Sequence, residues 1–149
     1  MRLHTTSEVI SLARKLESES ANLYRDLSRR YAKDADVFNS FARENEANIV
    51  QIERAYYGVI TDAIEGGFAF DMESDDFTFE AVLAKDAGYS DALDKVISTE
   101  NNIIEFYLNA ARQSDALMAD IPGAFRRVAR KREARRAKLK ELLDRESPK

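Results

Sequence analysis

Leu93-Asp94-Lys95-Val96-Ile97-Ser98-Thr99-Glu100-Asn101-Asn102-Ile103-Ile104-Glu105-Phe106-Tyr107-Leu108-Asn109-Ala110 decides how this chain is read. Leu93, Val96, Ile103, Tyr107 and Ala110 recur at the alternating three- and four-residue steps of an amphipathic helix. Glu100 stands in the same row, where another apolar side chain is due. The same row appears three more times along the chain. Before it come Ile10, Ala13, Glu17, Ser20, Tyr24, Leu27 and Tyr31, then Phe38, Phe41, Asn45, Asn48, Ile52, Ala55 and Val59. After it come Phe125, Val128, Arg132, Arg135, Leu139 and Leu142. Each row is mostly apolar at its ends and polar near its middle. A single helical glutamate is usually solvated, and a stripe can rotate by one position, as Leu16 beside Glu17 illustrates. Four interruptions at matching heights instead point to one buried polar layer crossing a four-helix bundle.

The punctuation between the rows sets their limits. Thr5 and Glu8 form a capping box that starts the first helix, which runs to about Tyr31. Asp34 or Asp36 is placed to cap the second helix, which ends near Glu65, where Gly66-Gly67 offers a left-handed stop. Ser90 or Asp91 starts the third helix, which lasts to about Gln113. Asp120-Ile121-Pro122 opens the fourth, proline being tolerated in a first turn, and it continues to about Arg145 before the tail Ser147-Pro148-Lys149. Residues 66–90 form an acidic crossover, with a short helix expected over Thr78–Lys85. Short links within each pair and a long one between them predict two antiparallel helix hairpins in a single all-α domain, residues 1–149.

Composition removes whole classes of function. The 149 residues contain no cysteine and one histidine, His4. Disulfides, zinc ribbons, iron–sulfur clusters, thiol nucleophiles and sites needing two imidazoles are therefore excluded. No serine–histidine pair can form in the core row, and no glycine-rich phosphate loop follows a strand. No apolar run approaches the roughly 20 residues of a membrane span. The start, Met1 to Thr6, has no signal-peptide core, so a cytoplasmic location is expected. The net charge of −4 conceals a strong asymmetry. Asp62 to Asp86 holds eight acidic residues and one lysine, whereas Phe125 to Lys149 holds eleven basic and four acidic ones. The two segments can attract each other within or between chains.

At the four rows the chain resembles the rubrerythrin branch of the ferritin-like family. That family carries, on its first and third helices, a metal-binding glutamate seven residues before a tyrosine; the matching pairs are Glu17 with Tyr24 and Glu100 with Tyr107. Its second and fourth helices carry E-x-x-H. Phe41-Ala42-Arg43-Glu44-Asn45-Glu46-Ala47-Asn48 is similar to that segment, with Asn45 and Asn48 in the ligand slots. Val128-Ala129-Arg130-Lys131-Arg132-Glu133-Ala134-Arg135 is similar to its partner, with Arg132 and Arg135 in the slots. The resemblance runs from about Glu8 to Leu143 and implies a ferritin-like four-helix bundle. It also implies a di-iron centre that activates peroxide or oxygen, and here the ligands depart from it: two glutamates remain and both E-x-x-H pairs are lost.

Charge arithmetic favours replacement of that centre. Glu17 and Glu100 contribute −2, Arg132 and Arg135 contribute +2, and arginine donates hydrogen bonds but cannot ligate a cation. A guanidinium in a ligand slot also repels a dication, by several kcal/mol at an effective dielectric of ~20 and ~4 Å. The expected core network is Glu17, Tyr24, Asn45, Asn48, Glu100, Tyr107, Arg132 and Arg135, with both arginines bridging the two glutamates. No cofactor is expected, and the role is structural or partner-binding rather than enzymatic. One alternative is a metal-binding oxidoreductase or storage protein, holding di-iron or another divalent metal on Glu17 and Glu100 with help from Glu44, Glu46 or Glu133. Another is an anion or nucleic-acid binder through Arg126, Arg127, Arg130 and Arg136 on the basic last helix, disfavoured because no aromatic residues interleave with that run. A homodimer is expected, with Tyr56, Tyr57, Phe68 and Phe70 as candidates for its covered surface.

Overall fold

The computed structural model describes residues 1–57, 70–115 and 120–146. Four long helices dominate it: α1 (Thr6–Arg30), α2 (Ala35–Tyr57), α3 (Tyr89–Gln113) and α4 (Asp120–Glu146). Two short strands, β1 (Arg2–Leu3) and β2 (Met72–Glu73), pair antiparallel, Arg2 opposite Glu73 and Leu3 opposite Met72. No described helix is long and apolar enough to cross a membrane.

The capping box at the head of α1 is complete. Thr5 Oγ1 accepts from the Glu8 backbone N–H at 3.2 Å, and the Glu8 carboxylate accepts from the Thr5 backbone N–H at 3.0 Å. It accepts from the His4 backbone N–H as well, and these bonds hold the Glu8 carboxyl below its ordinary range. At the other end Tyr31 closes α1 by donating its backbone N–H to Leu27 O.

Helix α1 packs principally on α2 and α3 on α4, with α2 facing α4 and α1 facing α3 across the bundle. The core falls into two apolar clusters. One gathers the N-terminal halves of α1 and α4 with the C-terminal halves of α2 and α3, around Leu16, Ile52, Phe106 and Phe125. The other gathers the opposite halves, around Leu27, Phe38, Leu93 and Leu139. This partition gives the helix directions: α1 and α4 run one way, α2 and α3 the other. The chain must therefore travel the length of the bundle between α2 and α3. Its described part does so across the α1–α3 face. Phe70, Met72 and Phe77 enter the first cluster and Leu83 the second.

The crossover differs from the sequence expectation. Residues 78–84 carry no helix; among the described crossover residues the helical turn is the 3-10 turn Ser74–Asp76. Phe77 and Leu83 are buried and Phe79 and Ala81 half-buried, an every-second-residue pattern suited to an extended chain. Helix donors are not needed because side chains supply them. Arg30 donates to Leu83 O and Ala84 O, Tyr31 to Ala87 O and Lys95 to Val82 O.

Asp34 also has a different task from capping. It closes a 3-10 turn, Ala32–Asp34, and its carboxylate accepts from Tyr89 Oη and from Arg145, tying the start of α2 to α3 and α4. Helix α3 begins at Tyr89, with Gly88 as an N-cap that makes no side-chain bond. The expected end of the second helix at Glu65, the Gly66-Gly67 stop, Val59, Phe68 and the tail after Glu146 lie outside the described residues. Tyr56 and Phe70 are buried in their own core, so of the aromatic residues proposed for a dimer surface only Tyr57 is exposed among those described.

Candidate functional site

The polar layer separates the two apolar clusters. Glu17, Asn45, Asn48, Glu100, Arg132, Tyr24 and Tyr107 are fully buried, and Arg135 is 2% exposed. Helical spacing alone puts them there. Each is in register with apolar neighbours one turn above and below, so burying the stripe buries the polar residue with it.

Arg132 sits between the two glutamates. Its Nη1 donates to both Glu100 oxygens at 2.7 and 2.8 Å, while its Nε donates to Glu17 Oε2 at 3.0 Å and Nη2 lies 2.9 Å from the same oxygen. The tyrosines cross between helices. Tyr24 on α1 donates to Glu100 on α3 at 2.6 Å, and Tyr107 on α3 donates to Glu17 on α1 at 2.7 Å. Asn48 Nδ2 fills the remaining Glu17 oxygen at 3.1 Å, and Asn45 Nδ2 donates to the Glu17 backbone carbonyl at 3.2 Å. All four carboxylate oxygens thus accept at least one hydrogen bond from the protein.

Arg135 is placed differently from a second bridge. It is 3.5 Å from Glu100 Oε2 and donates to Asn45 Oδ1 at 2.6 Å, but it does not reach Glu17. Its closest counterion is Glu44, at 2.6 Å, whose side chain is 34% exposed. Its guanidinium also lies over the rings of Tyr24 and Phe41, 5.1 and 4.9 Å from their centroids, where a cation is attracted to the π-faces. Glu44 immediately precedes Asn45, one position off the stripe, so the stripe does not single it out as the Arg135 counterion. A long arginine reaches past its own row, and only the packed geometry shows where it ends.

Glu46 is exposed and pairs with Arg25, and Glu133 is exposed, so neither joins Glu17 and Glu100. Among the described residues no group of three or more histidine, cysteine, aspartate or glutamate side chains is gathered as a cation would require. Ser20 Oγ, Asn48 Oδ1 and Arg135 Nε are buried at the edge of the layer without a hydrogen-bond partner among the described residues.

Electrostatics follow from these contacts. Burial alone raises the Glu100 carboxyl, but the facing Arg132 and Arg135 more than reverse this and hold it below the ordinary carboxylate range. Burial works against the charge on Arg132, yet Glu100 and Glu17 hold it protonated well above the ordinary arginine range. Tyr24 and Tyr107 are pushed well above the ordinary phenol range by burial and by the carboxylate each faces. Glu100 and the arginines are therefore held in their charged forms, and the tyrosines are neutral donors.

On the basic last helix, Arg127 and Arg130 are exposed, whereas Arg126 and Arg136 are half-buried. Arg126 pairs with Asp115 at 2.5 Å, and Arg136 donates to Asn101 at 2.8 Å. Comparison of the chain with protein-family models, with curated proteins and with solved structures gave no match.

Proposed function

We propose that this chain is a rubrerythrin-like, ferritin-like bundle in which an ion-pair network has taken the place of the di-iron centre, leaving a structural or partner-binding module. The observation that carries this reading is the position of Arg132, a fully buried guanidinium between Glu17 and Glu100. The helix directions and the lengthwise crossover suit a ferritin-like chain path. The reciprocal exchange of Tyr24 and Tyr107 between α1 and α3 suits the internal duplication of such bundles.

A metal pair does not fit this donor set. The guanidinium is a fixed cation with no lone pair to offer, and it stands where a bridged cation would have to sit. Every oxygen of both carboxylates already accepts a donor, and Arg132 faces both charges, with Arg135 3.5 Å from Glu100. Asn45 and Asn48 supply neutral amides in place of imidazole.

The test is metal analysis of protein produced in iron-supplemented medium. The reading predicts a folded protein with substoichiometric iron, manganese and zinc. Near-stoichiometric metal, lost when Glu17 and Glu100 are replaced together by glutamine, would return the chain to the metal-binding class.

A further inference from the structure

The bundle has two faces of opposite character. On one, the α2–α4 seam is an open groove whose lining includes Val50, Arg54, Asp120, Arg127, Arg130 and Lys131. None of its four cations makes an ion pair among the described residues, and Val50 is 46% exposed in their midst. On the other, the described crossover lies over α1 and α3. Its hydrogen bonds go to the first residues of the chain, to Arg30 and Tyr31 at the end of α1, and to Lys95 and Gln113 of α3. Asp75, Asp76, Glu80 and Asp86 on this segment are exposed and make no ion pair among the described residues, and Val82 between them is 65% exposed. The acidic crossover and the basic α4 therefore do not neutralise each other through ion pairs within the described chain.

We infer that the α2–α4 seam is a docking surface for the acidic crossover of a second copy of this chain. The seam sets four cations against one carboxylate, Asp120, and the crossover sets four carboxylates against one cation, Lys85, each around an exposed valine, so the pairing is complementary in charge and in apolar content. Local complementarity of this kind steers association even when both partners carry the same net sign. The two surfaces are different patches of the molecule, so the contact is heterologous and repeats from copy to copy instead of closing as a two-fold dimer. None of these residues belongs to the buried layer, and the inference stands apart from the metal-free reading of the core.

Neutralising variants test it by sedimentation velocity. The wild-type chain sediments as species larger than a monomer at about 20 mM ionic strength and as a monomer at about 500 mM, where the screening length is only a few ångströms. The variant R127Q/R130Q/K131Q and the variant D75N/E80Q/D86N are each monomeric at the low salt concentration. Mixed in equal amounts, they form a one-to-one dimer and nothing larger, because one intact seam meets one intact crossover. A wild-type chain that is monomeric at low salt overturns the inference. So does a variant that associates as the wild type does. A monomeric wild type retained on heparin resin assigns the seam to a foreign polyanion and likewise overturns it.

Discussion

Arg132 shows how much depends on one side chain. Its charge is wholly desolvated, a cost that is offset only because Glu17 and Glu100 face it at hydrogen-bond distance and tyrosine and asparagine donors satisfy the rest. Truncating it strands two buried carboxylates. Arg132→Met is expected to cost about 3–5 kcal/mol, a fall of roughly 6–20 °C in melting temperature. Glu100→Ala should behave similarly, whereas loss of Glu146, which is part-exposed and pairs with Lys33 and Arg145, should cost little. Equal melting temperatures for Glu100→Ala and Glu146→Ala would contradict a buried network. Acid gives a second reading of the same residue. Folding lowers the Glu100 carboxyl below its value in the unfolded chain, so the stability it contributes is complete above the ordinary carboxylate range. That stability is lost as pH falls through the lower folded value. Melting temperature plotted between about pH 5 and 3 should therefore fall more steeply in the wild type than in Glu100→Gln.

Elements carry the layer because each helix presents one stripe, and the stripes were legible from spacing alone. The four helices, the Thr5–Glu8 box and the Tyr31 terminus all follow from apolar period and capping chemistry that act locally. The crossover was not legible in this way. Thr78–Lys85 reads locally as a short helix, and the extended form is selected by distant donors, Arg30 and Lys95, which local spacing cannot reveal. The same holds for Asp34. It reads as a cap, but the surroundings of Tyr89 and Arg145 recruit it as a tertiary tie. Within the site, spacing shows which residues share a level but not which tyrosine crosses to which glutamate, nor that Arg135 turns toward Glu44. At this scale Thr5→Ala is expected to lower stability by about 1 kcal/mol, read by chemical denaturation with an unchanged m-value.

For the whole molecule, the polar layer divides two apolar clusters and fixes the helices at one height relative to each other. A one-turn slip of a helix would set charged or amide side chains against apolar ones, so the network opposes such a slip even where it adds no net stability. The strand pair β1–β2 anchors the crossover at one end of this frame. Leu3→Ala, which removes a buried side chain packed among Phe70 and Met72, should accelerate amide exchange over residues 70–77 while the layer-proximal turns of α1 and α3 keep their protection. A core whose charge is complete without a cation gains nothing from added metal, and thermal denaturation with and without metal reads this. A ligand bound by the folded state alone raises its stability in proportion to the logarithm of its concentration over its dissociation constant. The same melting temperature is expected in chelator and in about 1 mM ferrous or manganous ion under anaerobic conditions. A rise of several degrees with metal, abolished in the Glu17→Gln/Glu100→Gln variant, would contradict it.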